Sequence, residues 1–150
     1  MPNPGDTPSP AVATPKHLWV VGVLALLWNC MGAFDYVMTE SRNASYLRGF
    51  TRQQLDYFFG FPAWVIACWA IAVWGGVAGS LLLLLRKRLA VPVFAASLVA
   101  MLAVTLYNFG LSHGLAIMGR EAAMFSAVIF VVAVALLLYA RWLARRGVLR

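Results

Sequence analysis

The sequence predicts an all-α fold: a polytopic membrane protein whose four transmembrane helices form a bundle with a short interfacial helix at its outer end. Three observations predict it. Hydrophobic residues make up 63% of the 150-residue chain and charged residues 11%, too little polar surface to coat a water-soluble globule of that size. Four long stretches are almost free of charge, and a hydrocarbon core of about 30 Å needs about 20 residues at 1.5 Å rise each. The basic residues behind the formal charge of +7 fall between and after those stretches. That is the pattern of membrane topology; a nucleic-acid partner would call for a basic stripe laced with aromatic residues.

In chain order, residues 1–16 hold five of the seven prolines together with Gly5, Asp6, Thr7 and Ser9. Such a composition neither sustains a helix nor buries a core, so a disordered cytoplasmic tail is expected. The tail lacks a clustered basic region, and Leu27-Trp28-Asn29-Cys30 is too bulky for a cleavage site, so the first apolar stretch is expected to be retained as a helix. The spans fall at about residues 18–38, 61–85, 89–111 and 122–143. Residues 17–146 thus form the membrane domain and residues 147–150 a basic cytoplasmic end. Pro62 and Pro92 are placed in first turns, where a missing amide hydrogen costs little.

Charge near the span ends sets the orientation. Lys16, Arg86, Lys87, Arg88, Arg141, Arg145, Arg146 and Arg150 fall on one side, against Arg42, Arg48, Arg52 and Arg120 on the other, eight basic residues against four. By the positive-inside rule both termini are cytoplasmic, and the connections 39–60 and 112–121 are external. Trp19, Trp142 and Trp64 sit at the boundaries as an interfacial aromatic belt does. Within the first connection, Thr51 and Gln54 have capping-box spacing, flanked by Phe50 and Leu55 as a hydrophobic staple. A short helix is expected there, with Leu55, Phe58 and Phe59 on one face against lipid or the bundle.

Few residues carry chemistry. Asp35 is the one acid within a span; intramembrane ionisable residues face a partner, a cavity or the headgroups, so a ligand role and a structural pairing, with Arg120 for example, both stand. Asn29 lies near mid-membrane and is read as interhelical glue, about 120° around the helix from Asp35. Tyr107, Asn108, Ser112 and His113 bring polar groups to the outer end of the third span, where Arg120 and Glu121 open the fourth. Together with Asp35 and Asn29 they make an outer-leaflet polar cluster the candidate site.

His17 and His113 fall on opposite faces of the membrane, and Cys30 and Cys68 lack metal-binding spacing, so neither a metal nor a cofactor is expected. A Cys30–Cys68 disulfide is left open, since nothing in the sequence sets their separation. Ser80, Ser97 and Thr105 have no nearby base, which leaves no catalytic residue set and points away from an enzyme. Gly75, Gly76, Gly79 and Ser80 form two small-x-x-x-small pairs that permit close helix packing, within the bundle or between copies.

The strings Leu27-Trp28-Asn29, Gly32-Ala33-Phe34-Asp35-Tyr36, Gly60-Phe61-Pro62-Ala63-Trp64 and Trp69-Ala70-Ile71-Ala72-Val73-Trp74-Gly75 resemble an uncharacterised family of small bacterial four-helix inner-membrane proteins. Its members often carry the label "sugar transporter", and the resemblance covers roughly residues 18–111. It implies a bacterial inner membrane and, through that label, a solute. Two functional expectations follow. One is a non-enzymatic component whose helix faces bind other membrane proteins or copies of itself. The alternative is an oligomeric small-solute binder or transporter that uses Asp35, Asn108 and His113.

Overall fold

The computed structural model describes residues 10–150; most of the tail expected to be disordered, residues 1–9, lies outside the described residues. The elements are α1 (Lys16–Glu40), α2 (Ala44–Leu47), α3 (Arg52–Phe59), α4 (Ala63–Leu84), α5 (Ala90–Leu106), a π-helical turn (Tyr107–Leu111) and α6 (Gly114–Arg145). Among the described residues there is no strand. Four segments among the described residues are long and apolar enough to cross a membrane: α1, α4, α5 with its π-helical turn, and α6. The all-α four-span architecture read from the sequence is the one observed.

Boundaries differ where glycine or proline acts. Pro62 is the N-cap of α4 instead of a first-turn residue, whereas Pro92 does lie in the first turn of α5. α6 begins at Gly114, well before the expected residue 122, and is broken at Gly119, whose φ of 84° and ψ of 175° are non-helical. Only a residue without a Cβ adopts that conformation at little cost. The stretch expected to be a polar loop is therefore a short helical segment joined by a glycine elbow to the fourth span.

α4 is the centre of the bundle, packing against α1 on one side and α5 on the other. Its two small-residue pairs explain how. Offset by one residue, they point about 100° apart around the helix, so each serves a different neighbour. On one face a Cβ at Gly76 would overlap Asn29 of α1; on the other, a Cβ at Gly75 would lie 2.9 Å from Ser97 Cβ of α5, and one at Gly79 2.7 Å from the Phe94 ring. Ser97 Oγ then donates to the Ala72 carbonyl across the α4–α5 contact at 2.6 Å. Gly22 on α1 likewise leaves room for Leu84 of α4. The glycine motif is thus occupied within the chain.

One end of the bundle gathers the start of α1, the 86–88 turn and the end of α6; it is called here the basic end, because the eight cations of the sequence count belong to it. Leu18, Leu83, Ala90, Phe94, Leu136, Ala140 and Leu143 form its core together with Val148 and Leu149. Residues 147–150 fold back over the turn: Arg88 N donates to Arg150 O at 2.9 Å, and Arg150 N to Arg86 O at 2.7 Å. At the opposite end, the connector end, lie α2, α3 and the π-helical turn.

Elsewhere the surface is apolar. Val20, Leu24, Leu27 and Met31 of α1 and Met124 and Val131 of α6 are each at least 60% exposed, a surface that lipid solvates and water does not. The chain is an integral multi-pass membrane protein. Cys30 and Cys68 are both free thiols.

Valine at Gly76 or Gly79 must displace Asn29 or Phe94, and overpacking of this kind costs about 1–3 kcal/mol. Both variants are expected to melt at lower temperature in detergent. Gly49→Ala, where a Cβ meets nothing within 4 Å, is expected to melt like the parent.

Candidate functional site

Three polar groupings occur at different depths. The deepest joins α1 to α4. Asn29 Nδ2 donates to the Ala25 carbonyl at 2.8 Å and to Ser80 Oγ at 3.2 Å. Ser80, fully buried, donates in turn to the Gly76 carbonyl at 2.8 Å. The Asn29–Ser80 bond joins the two helices, while the other two run back to carbonyls of α1 and α4 themselves, so that all three hydrogens are used where lipid offers no partner.

The second grouping lies at the connector end and is built by the π-helical turn. There the Ser112 amide bonds back to the Tyr107 carbonyl at 2.9 Å, five residues away. This wider turn presents Asn108 and Ser112 to Tyr57 of α3, whose hydroxyl lies 2.8 Å from Asn108 Oδ1 and 2.6 Å from Ser112 Oγ. Ser112 Oγ is also 3.1 Å from the Asn108 carbonyl oxygen. Two hydroxyl hydrogens are shared among three contacts, so both are used within the group. Gly114 closes it, since a Cβ there would overlap the Asn108 backbone and approach the Tyr57 hydroxyl. Burial raises the Tyr57 pKa above its ordinary 10.0, while the Ser112 hydrogen bond opposes that rise.

Tyr57 is placed by α3, whose N-terminus carries the capping box read from the sequence. Gln54 N donates to Thr51 Oγ1 at 3.2 Å, and Thr51 N to Gln54 Oε1 at 3.0 Å. With the cap set, α3 lies across the connector end of the bundle.

The third grouping is Asp35 with Tyr46. The Tyr46 hydroxyl donates to Asp35 Oδ1 at 2.6 Å, so the partner of the intramembrane acid is a tyrosine of α2 and not Arg120. Asn43 caps α2 by accepting from Tyr46 N at 3.1 Å, which sets that ring over the end of α1. The hydrogen bond to Asp35, then burial and the Asp35 charge, push the Tyr46 pKa up to about 12.

Aromatic side chains connect the second and third groupings. Tyr46 meets Phe34 at 5.7 Å and Phe50 at 6.5 Å between ring centroids. Phe50 meets Phe58, Phe58 meets Phe61, and Phe61 meets Tyr107, at 5.8, 5.8 and 5.6 Å. Most of these pairs are edge-to-face, the geometry that ring quadrupoles favour.

The predicted site residues thus separate. Asn108 joins the Tyr57 network and Tyr107 the aromatic chain, Asp35 binds Tyr46, and Asn29 belongs to the α1–α4 contact. His113 is exposed at the start of α6. Among the described residues, no three His, Cys, Asp or Glu side chains gather as metal ligands would. The sequence reading missed Tyr46 and Tyr57. Asn43 and the Thr51–Gln54 cap were the available signals, since each fixes the start of the short helix that carries one of these tyrosines.

Two measurements check these contacts. Asn29→Ala and Ser80→Ala are each expected to cost about 0.6–2 kcal/mol, and the double variant less than their sum, read as melting in detergent. For Tyr46, a raised folded-state pKa means that the unfolded chain loses its proton first. The contribution is therefore complete below pH 10.0 and is lost as pH rises towards about 12. Tyr46→Phe is expected to flatten the fall in melting temperature over that window.

Comparison with protein-family models, curated proteins and solved structures finds no match to the chain.

Proposed function

We propose that the chain is a non-enzymatic accessory component of a membrane assembly, recognising another membrane protein or a second copy of itself through α6. One observation carries this reading. The intramembrane polar groups on α1, α4 and α5 are turned inward on one another, while α6 leaves most of its length uncovered. Met124, Val128, Val131, Ala135 and Leu138 are all exposed. Their spacing alternates four and three residues, which is the seam along which helices interlock. The glycines of α4 are not part of this face, because α1 and α5 already fill them.

The resemblance to small bacterial inner-membrane proteins supports a bacterial plasma membrane as the location. The eight-to-four asymmetry of basic residues supports cytoplasmic termini. A second reading, small-solute binding by an oligomer, is favoured by the π-helical turn at Tyr107–Leu111, since such turns recur at functional sites. Asp35 and Asn108 would be its contacts, each releasing its tyrosine to take a solute hydroxyl.

A photo-crosslinking side chain at Val131 in native membranes is expected to yield a discrete adduct, either a homodimer or a partner, whereas the same group at buried Leu83 yields none. Monomer alone at both positions would refute the α6 assignment. A stabilising shift with small sugars that vanishes in Asp35→Asn would favour the solute reading instead. A carboxyl-terminal tag is expected to be reachable only from the cytoplasm.

A further inference from the structure

A shallow, wide-open depression of about 510 Å³ lies at the connector end between the α1–α2 turn and α3. Three of its lining residues are arginines, Arg42, Arg48 and Arg52, and its apolar wall includes Leu47, Leu55 and Phe59. None of its lining residues is acidic. Such a lining combines positive charge with hydrocarbon in one place.

Arg42 adopts a left-handed backbone, φ 54°, as the residue that closes α1: its amide donates to the Thr39 carbonyl and the Asn43 amide to the Met38 carbonyl, each at 3.0 Å, a helix-ending turn. Its guanidinium sits 4.4 Å from the centre of the Phe59 ring, a cation–π contact that holds the charge at the rim. The α3 capping box already occupies the Thr51 and Gln54 amides. An anion here would therefore be held mainly by the guanidiniums, whose planar fork matches phosphate oxygens.

Depth identifies the occupant. α1 has 25 residues, about 37 Å at 1.5 Å each, more than the roughly 30 Å hydrocarbon core. Arg42, two residues past its end, thus falls in the headgroup layer. We infer that this depression is a binding site for one anionic diacyl phospholipid. Arg42, Arg48 and Arg52 take the phosphate, and Leu47, Leu55 and Phe59 take the glycerol and the first methylenes of the acyl chains. The site is independent of the α6 face and would persist whatever partner that face has.

The test is reconstitution of the full chain into vesicles of phosphatidylcholine alone or mixed with phosphatidylglycerol, extraction in mild detergent, and native mass measurement of the lipid retained. One phosphatidylglycerol is expected to stay bound in preference to phosphatidylcholine. In the triple variant R42Q/R48Q/R52Q its affinity is expected to fall on the order of 100-fold, roughly a factor of five for each arginine. K87Q/R88Q, at the opposite end, is expected to retain it. Each single glutamine variant is expected to lose about fivefold, which keeps the test decisive if the triple variant does not fold. Equal retention of phosphatidylcholine, or undiminished phosphatidylglycerol in the glutamine variants, would overturn the site. So would inorganic phosphate raising the melting temperature as much as the lipid does, which would make the ligand a free anion.

Discussion

Lipid offers no hydrogen bonds, so a helix that enters it must satisfy every polar group from its own backbone or from a neighbour close enough to touch. In this chain closeness is provided by α4. Gly76 and Ser80 admit α1, and Gly75 and Gly79 admit α5, on faces about 100° apart. Without those bare faces, Asn29 could not reach Ser80, nor Ser97 the Ala72 carbonyl. The same approach joins α1, α4 and α5 closely, while α6 packs on α5 and is buried mainly at the basic end, through Leu136, Ala140 and Leu143.

The two ends of the bundle are finished differently. At the basic end the chain closes on itself: residues 147–150 pair with the 86–88 turn and bury Val148 and Leu149. Its cations lie around that closure, and Arg146 stacks 4.3 Å over the Trp142 ring. At the connector end closure is by aromatic rings and hydroxyls carried on short helices. Asp35 and Asn108 are each bonded to a tyrosine from those helices. An outer-leaflet polar cluster open to solute would need both tyrosines to move. An interaction surface needs nothing of the kind, since the exposed stripe of α6 is already formed.

Much of this was legible in the sequence. The four apolar stretches, the capping box at Thr51 and Gln54, and the small-residue pairs of α4 are local patterns, and local patterns survive whatever the chain packs against. The start of α6 was not legible. Residues 112–121 look like a polar loop by composition, yet Gly119 permits a sharp elbow, so that helix resumes on either side. Nor could the candidate site be read as a unit. Asp35, Asn29, Asn108 and His113 were grouped by depth, but depth does not say which way a side chain faces: the first three fall in three separate groupings and His113 is exposed outside them.

By itself the sequence determined that this chain lives in lipid as four spans with its cations divided eight to four. The reason is that transfer of apolar surface is a sum over residues and needs no knowledge of neighbours. Tertiary structure alone decided that Tyr46 answers Asp35 and that Tyr57 answers Asn108. It also decided that Arg42 of the α1–α2 turn, Arg48 at the end of α2 and Arg52 at the start of α3 share one depression with Phe59. These are relations between residues brought together by the approach of different elements, and a hydrogen bond or a shared cavity depends on ångström-scale geometry that no count along the chain contains.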